Sequence, residues 1–185
     1  MQNEGPQRVA IERKTIHRAL AGDESALANI YDVYAKPLYR YHYSRVGNAA
    51  DAEDLTSQTF MAVMEALPSY RDRGRFTAWL FQIARNKAVD YFRSNPGVGE
   101  MTEAVADPTQ IDALEAVYNK ETRGILKSLL QSLDEEDREL LRLRFTAELS
   151  FVQMGHLLGR SDDAVRKAVR RILDRLAVQM EAKNV

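Results

Sequence analysis

The residues of this chain best placed to do chemistry are cations spread along one helical repeat near its end. Arg160, Arg166, Lys167, Arg170, Arg171 and Arg175 stand within sixteen positions, against Asp162, Asp163 and Asp174, a net charge of +3 over 160–175. Val165, Val169, Ile172 and Leu176 recur in the same run at helical spacing, so the cations take the remaining faces. A helix that is apolar on one side and basic on the other suits the DNA major groove. Side chains near its N-terminus reach base edges, and flanking cations hold phosphates. Arg166 and Lys167 are therefore expected at or near bases, because the guanidinium fork matches guanine. Arg170 and Arg171 are expected on phosphates, with Arg160 as an anchor in the preceding turn. Ser161 is the expected cap of this helix. Asp162 and Asp163 favour the helix start through its dipole, or accept from cytosine N4; capping is the simpler reading.

A second set interleaves rings with cations: Tyr70, Arg71, Arg73, Phe76, Trp79 and Phe81. Such mixtures hold single-stranded nucleic acid, the rings stacking on bases and the cations following the backbone. Phe76 is expected in the core, and Trp79 is placed to serve both. The loop 68–75, PSYRDRGR, is suited to wall a pocket for a base drawn out of the stack. Residues 71–93 carry a net +4, whereas 100–137 carry a net −7. These patches outweigh the chain's formal net charge of −1 in deciding how a polyanion is steered.

Covalent chemistry has little to work with. His17, His42 and His156 share no close spacing, cysteine is absent, and no H-E-x-x-H run occurs. Asp54 and Gln58 lie one helical turn apart without a nucleophile or base beside them. No catalytic residue, metal or cofactor is expected.

These groups must be positioned by helices. The 185 residues are 45% apolar and 29% charged, as in globular proteins. Neither a signal pattern nor a membrane-length apolar run is present, so a cytoplasmic protein without membrane insertion is expected. Helical spacing starts near Ile11 and stops at Gly22-Asp23, which caps a second helix through Leu27, Ile30, Tyr31, Tyr34 and Leu38. Pro37 is expected to kink or split it. Gly47-Asn48 ends that segment. Asn48 with Asp51 reads as a reciprocal cap for a helix over 49–66, with apolar contacts from Leu55, Phe60, Val63, Met64 and Leu67. A fourth helix is expected over 75–93.

SNPGVGE at 94–100 breaks the pattern. Asp134 with Asp137, Ser150 with Gln153, and Ser161 then cap three further helices, and Gly159 turns the chain between the last two. The fold expected is all-α. Two small helical domains, 11–94 and 121–178, are joined by a flexible linker over 95–120, and the C-terminal one is a helix-turn-helix.

DAEDLTSQTF at 51–60, FTAWLFQIARNKAVDYFR at 76–93 and the C-terminal helix-turn-helix, in this order, resemble the sigma-70 family. The short chain resembles its extracytoplasmic-function (ECF) group, alternative sigma factors with regions 2 and 4 only. The resemblance covers about 12–94 and 123–178. It implies that Asp51, Glu53, Asp54, Gln58 and Phe60 bind core RNA polymerase through the β′ clamp helices. It implies that Tyr70, Arg71, Arg73, Arg75, Trp79, Asn86, Lys87 and Arg93 serve the melted −10 element. Arg160, Ser161, Arg166, Lys167, Arg170 and Arg171 would serve the −35 element, with the same domain touching the β flap. Double- and single-stranded promoter DNA and an anti-sigma factor are the further partners implied, and the acidic linker would mimic nucleic acid near the polymerase channels. Two positions depart from the family pattern. Gln153-Met154-Gly155 stands where a Glu-Ile-Ala-like triplet is usual, and Asp163-Ala164 where Gly-Thr is. A stand-alone helix-turn-helix regulator would explain 134–176 but not 51–93. A helical adaptor would explain the acids at 51–54 and 100–137 but leave the basic patches incidental.

Overall fold

The computed structural model describes residues 10–96 and 124–183. Helix α1 (Arg13–Leu20) ends at Gly22, whose φ of 84° turns the chain into Asp23. The Asp23 side chain accepts from the backbone N–H groups of Ser25 and Ala26 and starts α2 (Glu24–Val46). Pro37 lies inside α2 and does not end it. It is buried between Tyr34 and Leu38, both fully buried, and this packing stabilises a turn that lacks one backbone hydrogen bond. Gly47, in the left-handed region, closes α2, and Asn48 caps α3 (Ala49–Ala66) by accepting from Ala50 and Asp51. A 3-10 turn at Leu67–Ser69 and the loop 70–75 lead into α4 (Phe76–Ser94).

Residues 124–131 are helical (α5). Asp134 caps α6 (Glu135–Leu141), a π-helical turn follows at Arg142–Thr146, and α7 (Phe151–Leu158) carries the full reciprocal Ser150–Gln153 cap. Gly159 (φ 65°) turns into α8 (Asp162–Lys183), and Ser161 accepts from the Ala164 N–H. The linker expected over 95–120 lies almost wholly outside the described residues.

Met64 departs from its expected place. The buried stripe of α3 runs through Ala52, Leu55, Thr56, Thr59, Phe60 and Val63. Met64 falls one position off that stripe and is 44% exposed, beside Met61 and Tyr31 on the outer face.

One hydrophobic core runs from Ile16, Tyr34, Leu38 and Phe81 in the first half to Leu140, Leu143, Met154 and Val169 in the second. The π-turn packs on α2, and α7 packs on α4. Polar groups reinforce this seam. Glu139 Oε1 accepts from the Tyr41 hydroxyl at 3.0 Å and from Arg85 Nε at 2.9 Å. Arg45 Nη2 lies 3.8 Å from Glu135, Arg40 Nη1 donates to Glu148 at 2.8 Å, and Gln153 Nε2 donates to Thr77 at 3.2 Å. Every acid in this set belongs to the second half, and every arginine to the first. Glu148 has a φ of 59°, a conformation costly for a side-chain-bearing residue.

His42 lies fully buried beneath this seam, its Nε2 3.0 Å from the Thr59 hydroxyl. Burial, with the neighbouring Arg45 charge, pushes its pKa down to about 3. An unfolded histidine titrates near 6.5, so the unfolded chain binds more protons between about pH 3 and 6.5. Stability must fall as pH drops through that window. Between pH 7 and 6 this group alone is expected to cost about 0.7 kcal/mol. Urea unfolding at the two pH values checks it, and His42→Asn is expected to flatten the difference.

Candidate nucleic-acid interface

Three surfaces carry the candidate residues. The first is the outer face of α3. Glu53 and Asp54 are exposed, and Gln58 Nε2 donates to Asp54 at 2.7 Å, one turn along the helix. Asp51 is half-buried and accepts from the Tyr91 hydroxyl at 2.9 Å, tying α3 to α4. Phe60 lies in the core with its ring 4.7 Å from that of Tyr31. The exposed face thus brings Glu53, Asp54 and Gln58 together and adds Met61, Met64 and Tyr31. The helical spacing of Tyr31 with Leu27, Ile30 and Tyr34 reads as core, and no sequence signal singled out Met61.

The second surface is the loop 70–75 with α4. Tyr70 and Trp79 are half-buried with ring centroids 4.6 Å apart, and both pack against buried Phe76. Arg71, Arg73 and Arg75 surround this pair and are exposed. Asp72 fixes the loop. It accepts from Arg13 Nε at 2.9 Å, contacts His17 Nε2 at 3.0 Å and accepts from the Gly74 N–H at 2.8 Å. Burial of the carboxylate works to raise its pKa, but hydrogen bonds from Arg13, the Gly74 N–H and His17 outweigh it and hold the group at about 2. The loop is therefore anchored by a permanent anion while three neighbouring cations face solvent. Gly74, at φ 72°, permits the reversal. Further along α4, Asn86 is exposed and accepts from Gln82 at 3.0 Å, Lys87 is half-buried, and exposed Arg93 pairs with Asp90 at 3.0 Å. Arg85, part of the basic run, is turned away from this surface to Glu139.

The third surface is α8. Val165, Val169, Ile172 and Leu176 are buried, as their spacing requires. Arg166, Lys167, Arg170 and Arg171 are exposed together on the open side. Arg160 is half-buried and bonded to Glu136 at 2.7 Å, and Arg175 is bonded to Asp137. The guanidinium of Arg166 lies 4.9 Å from the centroid of the Phe151 ring. Ser161 caps the helix, so its hydroxyl is already engaged. Among the described residues no group of three or more His, Cys, Asp or Glu could hold a metal ion, and no helix is long and apolar enough to cross a membrane.

A helix-turn-helix with a basic outer helix, fused to a helical body that carries an anchored aromatic-arginine loop, is the class of protein that the fold and these surfaces define. Comparison with known proteins narrows the class. The chain matches the family models for Sigma-70 region 2 over residues 30–96 and Sigma-70, region 4 over residues 129–177. It is 36% identical over 183 residues to the ECF RNA polymerase sigma factor ShbA of Streptomyces griseus, covering 90% of this chain and 93% of the relative. It is 25% identical to the ECF factor SigW of Bacillus subtilis, covering 91% and 96%. To the ECF factor BldN of Streptomyces coelicolor it is 34% identical, covering 88% of this chain but only 63% of that longer protein. The fold is also that of CnrH, solved in complex with the cytosolic domain of CnrY, with a TM-score of 0.63 at 24% identity over 92% of this chain and 97% of that one.

The chain belongs to the ECF group of the sigma-70 family. It is an alternative sigma factor, which directs RNA polymerase to promoters.

Proposed function

We propose that the three surfaces divide the work of promoter opening. The outer face of α3, with Glu53, Asp54 and Gln58 at its centre, docks on the β′ clamp helices of core polymerase. The Tyr70–Trp79 pair and Arg71, Arg73 and Arg75 take unstacked bases and backbone of the −10 element, continued by Asn86, Lys87 and Arg93. The open face of α8 enters the major groove at the −35 element, with Arg166 and Lys167 toward bases and Arg170 and Arg171 on phosphates. The observation that carries this reading is the anchored loop. Asp72 immobilises it from within while its cations and the two packed rings, inclined at 39°, stay available, which suits capture of a single strand. Binding energy is spent on holding melted DNA, at a cost of a few kcal/mol per disrupted step. No bond is made or broken by this chain.

The same reading requires the two halves to part. The −10 and −35 elements lie about 25 base pairs apart, or about 85 Å along a duplex at 3.4 Å per pair. A packed body of this size is only about 40 Å across. While α4 and α7 touch, α8 and the Tyr70–Trp79 pair cannot reach both elements. The chain between residues 96 and 124 reaches about 90 Å at full stretch, enough to allow separation. The packed arrangement is then the resting form in the cytoplasm, and docking on core polymerase supplies the energy that opens it. CnrH was solved with a protein partner, which makes a partner that masks these surfaces in the resting cell a reasonable expectation here.

Purified core polymerase transcribing fragmented genomic DNA, with and without this chain, tests the function. New RNA 5′ ends downstream of a shared two-part element are expected. Neither new starts nor core binding would return the stand-alone regulator to the lead. Asp54→Ala is expected to weaken core binding about tenfold, as loss of a charged interface contact does, while circular dichroism stays unchanged. Unaltered binding would remove α3 from the docking surface.

A further inference from the structure

We propose that Phe151 is a positioning residue for promoter reading, its ring holding the Arg166 guanidinium in place to meet base edges. The proposal rests on the assignment of Arg166 to base contact. Phe151 is the first residue of α7 and Arg166 the fifth of α8, so their meeting is set by the turn between the two helices. The guanidinium carbon of Arg166 lies 4.9 Å from the ring centroid, and that of Arg144 lies 4.8 Å from it. Both distances fall within the range of cation–π attraction.

The ring is itself well fixed. Phe151 is half-buried and packs on the core, whereas its neighbour Val152 is 52% exposed. Its backbone follows the reciprocal Ser150–Gln153 cap, and Gln153 is bonded onward to Thr77 of α4. Arg144 is tied by its Nη1 to the Leu149 carbonyl at 2.9 Å. The ring therefore rests on fixed backbone, and the ring contact in α8 falls on the cation nearest the helix start.

An unrestrained arginine must freeze several torsions to make a two-pronged contact with guanine. The contact with the ring freezes some of them beforehand. The ring takes no hydrogen bond in the guanidinium plane, so the exposed Arg166 keeps N–H groups for O6 and N7. Two guanidiniums against one ring also repel each other, and an arriving polyanion relieves that repulsion. A side chain that merely filled the core would influence all DNA contacts equally through stability. A positioning ring acts on the bases that Arg166 reads.

The test is transcription by core polymerase with the full chain on a template library randomised across the upstream element, comparing wild type with Arg166→Ala, Phe151→Leu and Phe151→Tyr. Arg166→Ala is expected to lower preference at one or two positions about tenfold. Phe151→Leu is expected to lower preference at the same positions about two- to fivefold, and Phe151→Tyr, which keeps the ring, to restore it. A uniform loss across all positions with Phe151→Leu, or no rescue by tyrosine, would overturn the positioning role. If Arg166→Ala shifts preference and Phe151→Leu does not, the ring is idle and only the base assignment stands. If Arg166→Ala changes no preference, the base assignment fails and the positioning role with it.

Discussion

Glu139→Ala is expected to part the two halves of the free protein. Glu139 lies on α6 and is only 6% exposed. Its Oε1 accepts from Tyr41 and Arg85 of the first half, and its Oε2 lies 3.8 Å from Arg142 of its own half. Tyr41 is kept neutral in this setting, because burial and then the Glu139 charge raise its pKa above the usual phenol range. Truncation leaves the buried Tyr41 hydroxyl and Arg85, whose side chain is 32% exposed, without this acceptor, whereas Arg142 keeps its bond to Glu135 at 2.7 Å. Leaving a buried donor without its acceptor costs about 1–3 kcal/mol. The closed form can shed most of that cost by opening, since Tyr41 and Arg85 then regain water. A shift of about 2 kcal/mol changes the closed-to-open ratio about thirtyfold.

The absence of cysteine makes the measurement direct. Ser57→Cys on α3 and Gln179→Cys on α8, both exposed positions, can carry a spin-label pair. The parent should give one short distance distribution, and Glu139→Ala a broad, longer one. Glu139→Gln, which keeps an acceptor oxygen, should fall between them. An unchanged distribution in Glu139→Ala, with melting intact, would show that the apolar seam alone keeps the halves together.

Gly155→Ala is expected to destabilise the helix-turn-helix, although alanine is the better helix former by about 1 kcal/mol. A Cβ at position 155 would sit 2.7 Å from the Arg160 carbonyl oxygen and 3.3 Å from the Asp162 nitrogen. Both are backbone atoms of the turn, and neither can swing aside. The Arg160 N–H donates to the Gly155 carbonyl at 3.0 Å, so the same close approach also closes the turn. Overpacking of this kind costs about 1–3 kcal/mol, more where backbone must move. A net loss of about 1–2 kcal/mol is expected, and α8 should be displaced relative to α7, spoiling the Arg166–Phe151 contact. Urea unfolding with amide exchange resolved to α7 and α8 measures it. A neutral or stabilising alanine would mean that the turn can widen freely.

Periodicity and capping chemistry determined the helices and the helix-turn-helix by themselves. Both are local: Asp23, Asn48, Asp134, Ser150 and Ser161 bond backbone groups two or three residues away, and the apolar spacing of α8 alone assigns its buried face. The basic outer row of α8 and the exposed arginines of the 68–75 loop were legible for the same reason. Tertiary structure decided the rest. Met64 was left out of the core that Phe60 entered, because the partner helices fix which edge of an apolar stripe is covered. Asp72 became an anchor only through Arg13 and His17, more than fifty residues away. Glu139 and Arg142, three apart on what reads as a charged helix face, became a buried seam because Tyr41 and Arg85 lie opposite them. Burial of charge depends on what arrives from elsewhere in the chain, and no local pattern encodes that.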